Sequence, residues 1–248
     1  MSESKTGRVE SSAKRVRVYL GGHLAVDTIA ATLVWEHDYY PTYYFPVDEL
    51  RVKLEPTGDD RPANHLGTPV GFDVIAEGVV APGAAVQYVD SPIPELRDLV
   101  RLDTNAMDQW FEEDEAIYGH PRDPYHRVDI LSSSRHIRVE VAGQTVAESR
   151  NPRILFETGL PARYYLPLTD IRMDLLEPSE TESLCPYKGF AAYWNVKLGE
   201  DIYPDLVWIY RTPFPESQKI AGFASFYNEK VDIYIDGALE AKRESPFS

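Results

Sequence analysis

The chain has 248 residues, 43% of them hydrophobic and 26% charged, which is a globular composition and enough for one large domain or two smaller ones. A net charge of −15 with no clustered basic stretch argues against nucleic-acid backbones and anionic membranes as partners. No apolar run reaches membrane-spanning length, and a single cysteine excludes an intrachain disulfide framework.

In chain order, residues 1–14 are polar, lack the apolar stretch of a secretion signal, and are expected to form a disordered tail on a cytoplasmic protein. "VRVYL" from Val16 alternates as a strand does, and Gly22 supplies a hairpin turn, opening a first unit over 15–119. Within it "NAMDQWFEED" is the best candidate for a helix. Residues 120–135 form a bridge that begins as a Pro-containing loop and turns into a strand at "RVDIL". "IRVEV" with Gly143 then opens a second unit over 136–248. "RYYLP", "IRMDL", "AAYWNV", "LVWIY" and "VDIYIDG" follow as short aromatic and β-branched strands, with a short helix expected at "SETESL".

The two units are copies. A shift of 121 positions pairs Val16–Arg51 with Ile137–Arg172 without a gap, and eight of the 36 pairs are identical, where chance gives about two. They include Gly22/Gly143, Glu36/Glu157, Tyr43/Tyr164, Tyr44/Tyr165 and Pro46/Pro167. After one inserted residue, "GTPVGFDV" from Gly67 pairs with "GFAAYWNV" from Gly189.

The residues "VRVYLGG", "IRVEVAGQTVAES", "LFETGLP", "YYLP", "CPYKGFAAYW", "VWIYRTPFPE" and "FASFYNEKVDIYIDG" together resemble the family called domain of unknown function 427, in two tandem copies with the N-terminal one divergent after Glu55. The resemblance implies a mainly β protein of two β-tent-like domains, antiparallel sheets with few short helices, related in shape to methionine sulfoxide reductase B and the drug-binding domain of cereblon. The copies are expected to pair about an approximate twofold axis. Relatives of that shape often carry paired CxxC zinc knuckles, which one cysteine cannot build. The family also carries a nucleotidyltransferase-like label, whose chemistry usually needs a Gly-Ser turn and an Asp-x-Asp pair. Neither occurs in this chain.

Chemistry-bearing residues concentrate in "CPYKGFAAYW". Cys185, Tyr187 and Lys188 precede a turn glycine, whereas the frame gives Ala63, His65 and Leu66 in the first copy. A thiol near an ammonium is a candidate nucleophile, and equally a small buried hydrophobe. Lys188 could sit in solvent, hold an anion or pair with Glu157. Glu157 itself is shared with Glu36, so a structural role stands beside a catalytic one. Tyr164, Tyr165, Tyr187, Trp194, Trp208 and Tyr210 are expected to line a ligand pocket in the second copy, the alternative being ordinary core. His120, Asp123 and His126, spaced three apart in the bridge, are a lesser alternative as metal ligands, with bracing of the junction as the plainer reading.

The expected function is a small-molecule site in the second copy, an anionic ligand among the candidates, with Cys185, Lys188 and Glu157 open to catalysis. A non-catalytic binding or protein-interaction module is the alternative, and whether the chain is an enzyme stays open. No cofactor, nucleic acid or membrane is expected, and a homo-oligomer is compatible with the repeat.

Overall fold

The computed structural model describes residues 5–242, and the chain divides into two compact units between Asp123 and Pro124. The first contains β1 (Val9–Ser11), β2 (Val16–Leu20), β3 (His23–Thr28), β4 (Thr32–Val34), β5 (Thr42–Pro46), β6 (Lys53–Pro56), β7 (Val70–Ala76), β8 (Val79–Gln87), β9 (Leu99–Leu102), β10 (Gln109–Glu112) and β11 (Glu115–Ile117). The second contains β12 (Val128–Ser132), β13 (Ile137–Val141), β14 (Gln144–Ser149), β15 (Arg153–Glu157), β16 (Arg163–Pro167), β17 (Leu176–Cys185), β18 (Gly189–Leu198), β19 (Asp201–Tyr210), β20 (Phe223–Phe226), β21 (Asp232–Ile235) and β22 (Ala238–Leu239).

Each unit folds into a seven-stranded and a four-stranded antiparallel sheet. The larger sheets run β1-β4-β5-β9-β8-β7-β6 and β12-β15-β16-β20-β19-β18-β17, the same order strand for strand. The smaller ones run β11-β10-β2-β3 and β22-β21-β13-β14. Two of the ladder irregularities repeat, while a third, the β17–β18 slip between Pro178 and Glu182, has no counterpart between β6 and β7. The β2–β3 ladder slips between Val18 and Tyr19, and β13–β14 slips between Val139 and Glu140. The β7–β8 ladder slips between Phe72 and Val74, and β18–β19 between Trp194 and Val196. Bulges re-aim a strand at a defined point, so their recurrence at equivalent residues marks a duplicated backbone.

In each unit the main core lies between the two sheets. Val16 and Val18 of the small sheet meet Tyr43, Phe45 and Val74 of the large one, and Val139 and Ile233 meet Tyr164, Leu166 and Val207. Side chains alternate along a strand, so Tyr44 and Tyr165 point to the opposite face of the large sheet. That face is covered by loops instead of a sheet. Leu66 and Leu96 close it over Val34, Tyr44 and Val86 in the first unit, and Ile220 closes it over Leu155, Tyr165 and Trp208 in the second. Burying a leucine or isoleucine there is worth about 1.5–3 kcal/mol.

Three expectations change. The tail expected over 1–14 contains β1, which pairs with β4 at the sheet edge, Val9 opposite Val34. Its counterpart, β12, takes up part of the expected bridge, Ile130 opposite Leu155, so 128–132 belong to the second sheet. A three-residue edge strand with one apolar side chain leaves little alternation to read. "NAMDQWFEED" and "SETESL" are not helical. Gln109–Glu112 forms β10 between β2 and β11, with Trp110 buried in the core, because an aromatic pair fits a pleated surface better than a helix of mixed acids. "SETESL" lies within β17, the outer strand beside β18, where Glu177, Pro178, Glu180 and Glu182 keep an exposed edge from pairing further. The described residues contain only short 3-10 turns, the longest being Pro215–Ile220, and no helix long and apolar enough to cross a membrane.

The hairpin turns show one physical difference between the copies. Gly21 and Gly22 both have positive φ, 60° and 78°, while the second copy uses Ala142 at 48° and Gly143 at 78°. A Cβ on Gly21 would lie 2.4 Å from Val79 Cγ2, so the first copy needs glycine there for space as well as conformation. Left-handed backbone costs a non-glycine residue about 1–2 kcal/mol. Ala142→Gly should therefore raise stability by about 1 kcal/mol in urea unfolding, and Gly21→Ala should lower it by a larger amount.

Candidate functional site

The shared glutamate is the organising residue of the loop-covered face. Glu36 follows β4 and Glu157 ends β15, each beside the tyrosine that faces the loops. In the first unit the Tyr44 hydroxyl donates to Glu36 Oε1 at 3.2 Å, and Arg101 Nη1 donates to both carboxylate oxygens at 3.2 Å. Arg101 stands on β9 directly opposite Tyr44. In the second unit His126 Nε2 lies 3.0 Å from Glu157 Oε1, and Lys188 Nζ donates to Oε2 at 2.5 Å. The same carboxylate is thus neutralised by a cation from a strand in the first copy and from a turn in the second.

Side-chain volume explains the exchange. Ser225 holds the place of Arg101, opposite Tyr165, and Trp208 holds the place of Val86, opposite Ser225. The Trp208 indole fills the space that the Arg101 side chain uses, and donates to the Tyr165 hydroxyl at 3.1 Å. Valine with arginine, or tryptophan with serine, fills one cavity in two ways. The exchange leaves the Ser225 hydroxyl buried with no hydrogen-bond partner among the described residues.

The electrostatics of the second unit follow from this closure. The side chains of Glu157 and Lys188 are 6% and 11% exposed. Burial alone would push the Glu157 carboxyl up, but the His126 hydrogen bond and the Lys188 ammonium outweigh it and hold it below the ordinary carboxylate range. Burial also drives the hydroxyls of Tyr44, Tyr165 and Tyr210 well above their ordinary value, so they act as neutral donors and acceptors.

The "CPYKG" segment is the turn between β17 and β18. Cys185 pairs with Gly189, and its carbonyl accepts from Lys188 N at 3.2 Å. The carbonyl of Lys188 accepts from Phe214 N at 3.0 Å, and that of Tyr187 from Ser217 Oγ at 3.0 Å. The Tyr187 ring stacks on His126 at 4.3 Å. The half-buried Cys185 packs against the cluster of Tyr165, Tyr193, Trp208 and Tyr210, while the Lys188 ammonium is engaged by Glu157. Tyr165, Trp208 and Tyr210 share this face, but Tyr164 and Trp194 belong to the core on the other side of the sheet, so the expected lining is divided between two faces. The bridge residues also part ways. His120 stacks on Tyr40 at 3.8 Å, Asp123 takes Lys5 at 2.7 Å and the Trp35 indole at 3.3 Å, and His126 joins Glu157.

The first unit holds what the residue types alone did not reveal, a cavity of about 440 Å³ floored by the Glu36–Arg101 pair. Thr42, Thr104 and Asn105 line it, with Tyr40, His37 and His120 at its wall. In the second unit Arg163 stands for Thr42 and Glu229 for Asn105, and they join in a bidentate ion pair of two 2.7 Å bonds. Their side chains are 8% and 4% exposed, and the guanidinium lies over the rings of Trp208 and Tyr227. This pair plugs the space that is open in the first copy. A separate cavity of about 350 Å³ in the second unit is lined by Phe156, Leu160, Tyr164 and Glu240.

Breaking a buried ion pair by removing one partner costs about 3 kcal/mol or more. Lys188→Met should destabilise the protein by about that amount, read by urea unfolding. A depressed carboxylate pKa contributes stability that is fully present above the unfolded value, near 4.5, and is lost as pH falls through the lower folded value. Glu157→Gln should therefore flatten the loss of stability with falling pH in that acid window and leave a lower plateau at neutral pH.

No curated protein matches the chain. Residues 8–113 and 129–237 each match the family described as domain of unknown function DUF427. The two matches fall on the two structural units, whose strand orders, two recurring bulges and shared glutamates agree. The chain belongs to the DUF427 family and carries two tandem copies of its domain.

Proposed function

We propose that the chain is a non-catalytic small-molecule-binding protein whose working site is the first unit's cavity, the equivalent place in the second unit being filled by Arg163 and Glu229. The observation that carries this is the replacement of the Arg163–Glu229 plug by Thr42 and Asn105, beside a cavity of about 440 Å³ lined by the half-buried Glu36–Arg101 pair. Ligand sites of small molecules fall in this volume range and combine aromatic walls with a few convergent polar groups. Against the catalytic reading of the second unit, the Lys188 ammonium is bound to Glu157 and the carbonyls of Cys185, Tyr187 and Lys188 are all used within the fold. Cys185 there is half-buried and packs against the aromatic cluster of Tyr165, Tyr193, Trp208 and Tyr210. A cytoplasmic location suits a chain whose one thiol is unpaired.

The test transplants the plug. The double variant Thr42→Arg/Asn105→Glu should fold, because the second unit already accommodates that pair, and should abolish ligand-induced thermal stabilisation found in a metabolite screen. A ligand at 100-fold its Kd stabilises by about 2.7 kcal/mol, which should vanish in the variant. Hits that stabilise wild type and double variant equally would place binding outside this cavity and overturn the reading.

A further inference from the structure

We infer that the first unit's cavity takes a neutral polyhydroxylated molecule, of the size and chemistry of a monosaccharide or cyclitol, held by a vicinal diol on the Glu36–Arg101 pair. The inference rests on the binding reading above and names the class of ligand.

The floor supplies an acceptor and a donor side by side. Among the described residues Glu36 Oε2 receives one hydrogen bond, from Arg101 Nη1 at 3.2 Å, and a carboxylate oxygen has room for a second. Arg101 directs only Nη1 at the glutamate. Nη2 makes no hydrogen bond among the described residues, and Nε is buried without one. Two adjacent hydroxyls match this arrangement, one donating to the carboxylate and its neighbour accepting from the guanidinium. A carboxylate or phosphate would satisfy Arg101 alone and repel Glu36. Asp103 on the same wall adds a second negative charge, so the lining disfavours anions. The remaining polar groups, Thr42, Thr104 and Asn105, are neutral and each both donates and accepts, as a hydroxyl does.

The wall fits the same class. Tyr40 and His120 stack nearly flat, 3.8 Å apart and 9° from parallel, with His37 edge-on to Tyr40 at 4.3 Å. Such a platform gives the C–H face of a saturated ring an apolar surface while its hydroxyls turn to the polar floor. A flat apolar ligand would instead leave the ion pair and three neutral polar residues unpaired, which is costly. The second unit shows the alternative solution, in which the protein's own Arg163 and Glu229 satisfy each other.

The experiment is saturation-transfer NMR on the full chain with D-mannose, D-galactose, D-ribose and myo-inositol, beside citrate, inorganic phosphate and spermidine. The expected result is transfer to at least one polyol, lost in Thr42→Arg/Asn105→Glu and weakened about tenfold, or about 1.4 kcal/mol, in Glu36→Gln. Tyr40→Ala, away from the ion pair, should weaken it too while leaving the fold intact by circular dichroism. Transfer to citrate, phosphate or spermidine that the plug variant abolishes, with none to polyols, would overturn the ligand class and leave the cavity reading standing. Transfer that the plug variant does not change, or none from any probe, would overturn both.

Discussion

A carboxylate on the loop-covered face of a sheet must be given a cation or lose its charge, and in each copy much of the local structure follows from how that demand is met. Glu36 is satisfied from within the sheet by Arg101, one strand beyond Tyr44. Glu157 is satisfied from outside it, by Lys188 on a turn and His126 on the approach to β12. The in-sheet solution leaves the covering loop free to bring an apolar side chain, Leu66, where the second copy brings Lys188. The loop-borne solution frees the sheet position, which becomes Ser225, and lets Trp208 grow into the space. One electrostatic requirement therefore sets the identity of residues on the turn, on two strands and at the chain's entry to the sheet.

Much of the fold could be read from the residues. The gap-free pairing of Val16–Arg51 with Ile137–Arg172 captures the duplication, the shared hairpin and the shared glutamate, because these depend on local alternation and turn glycines. β1 and β10 were harder. Each is short, and each is fixed by pairing with a strand elsewhere in its unit, β4 and β2, which no local window contains. The acidic run around Trp110 mimics a helix surface until the β2 partner is known.

The site was legible in part. Lys188 with Glu157 was among the roles open to that lysine, and the two meet. The division of Tyr164 and Trp194 from Tyr165 and Trp208 follows from strand alternation, which sends neighbouring residues such as Tyr164 and Tyr165 to opposite faces of the sheet. The open cavity depends on differences between copies. Thr42 against Arg163 lay within the aligned stretch, but Asn105 against Glu229 falls where the offset has grown to 124, and Arg101 against Ser225 is displaced the same way. A substitution is informative only with its partner, and the partner lay outside the frame.

The paired exchanges carry a consequence for how the copies drift. Converting Val86 to tryptophan while Arg101 remains would overpack the sheet face, and converting Arg101 to serine first would leave a hollow beneath an uncompensated carboxylate. Either order passes through a poorly folding intermediate, so neither single change is easily reversed. Two halves born identical would in this way become genetically insulated from each other. Recombination between them would yield chimeras that mismatch at this one face, which favours keeping both halves distinct instead of letting them converge again.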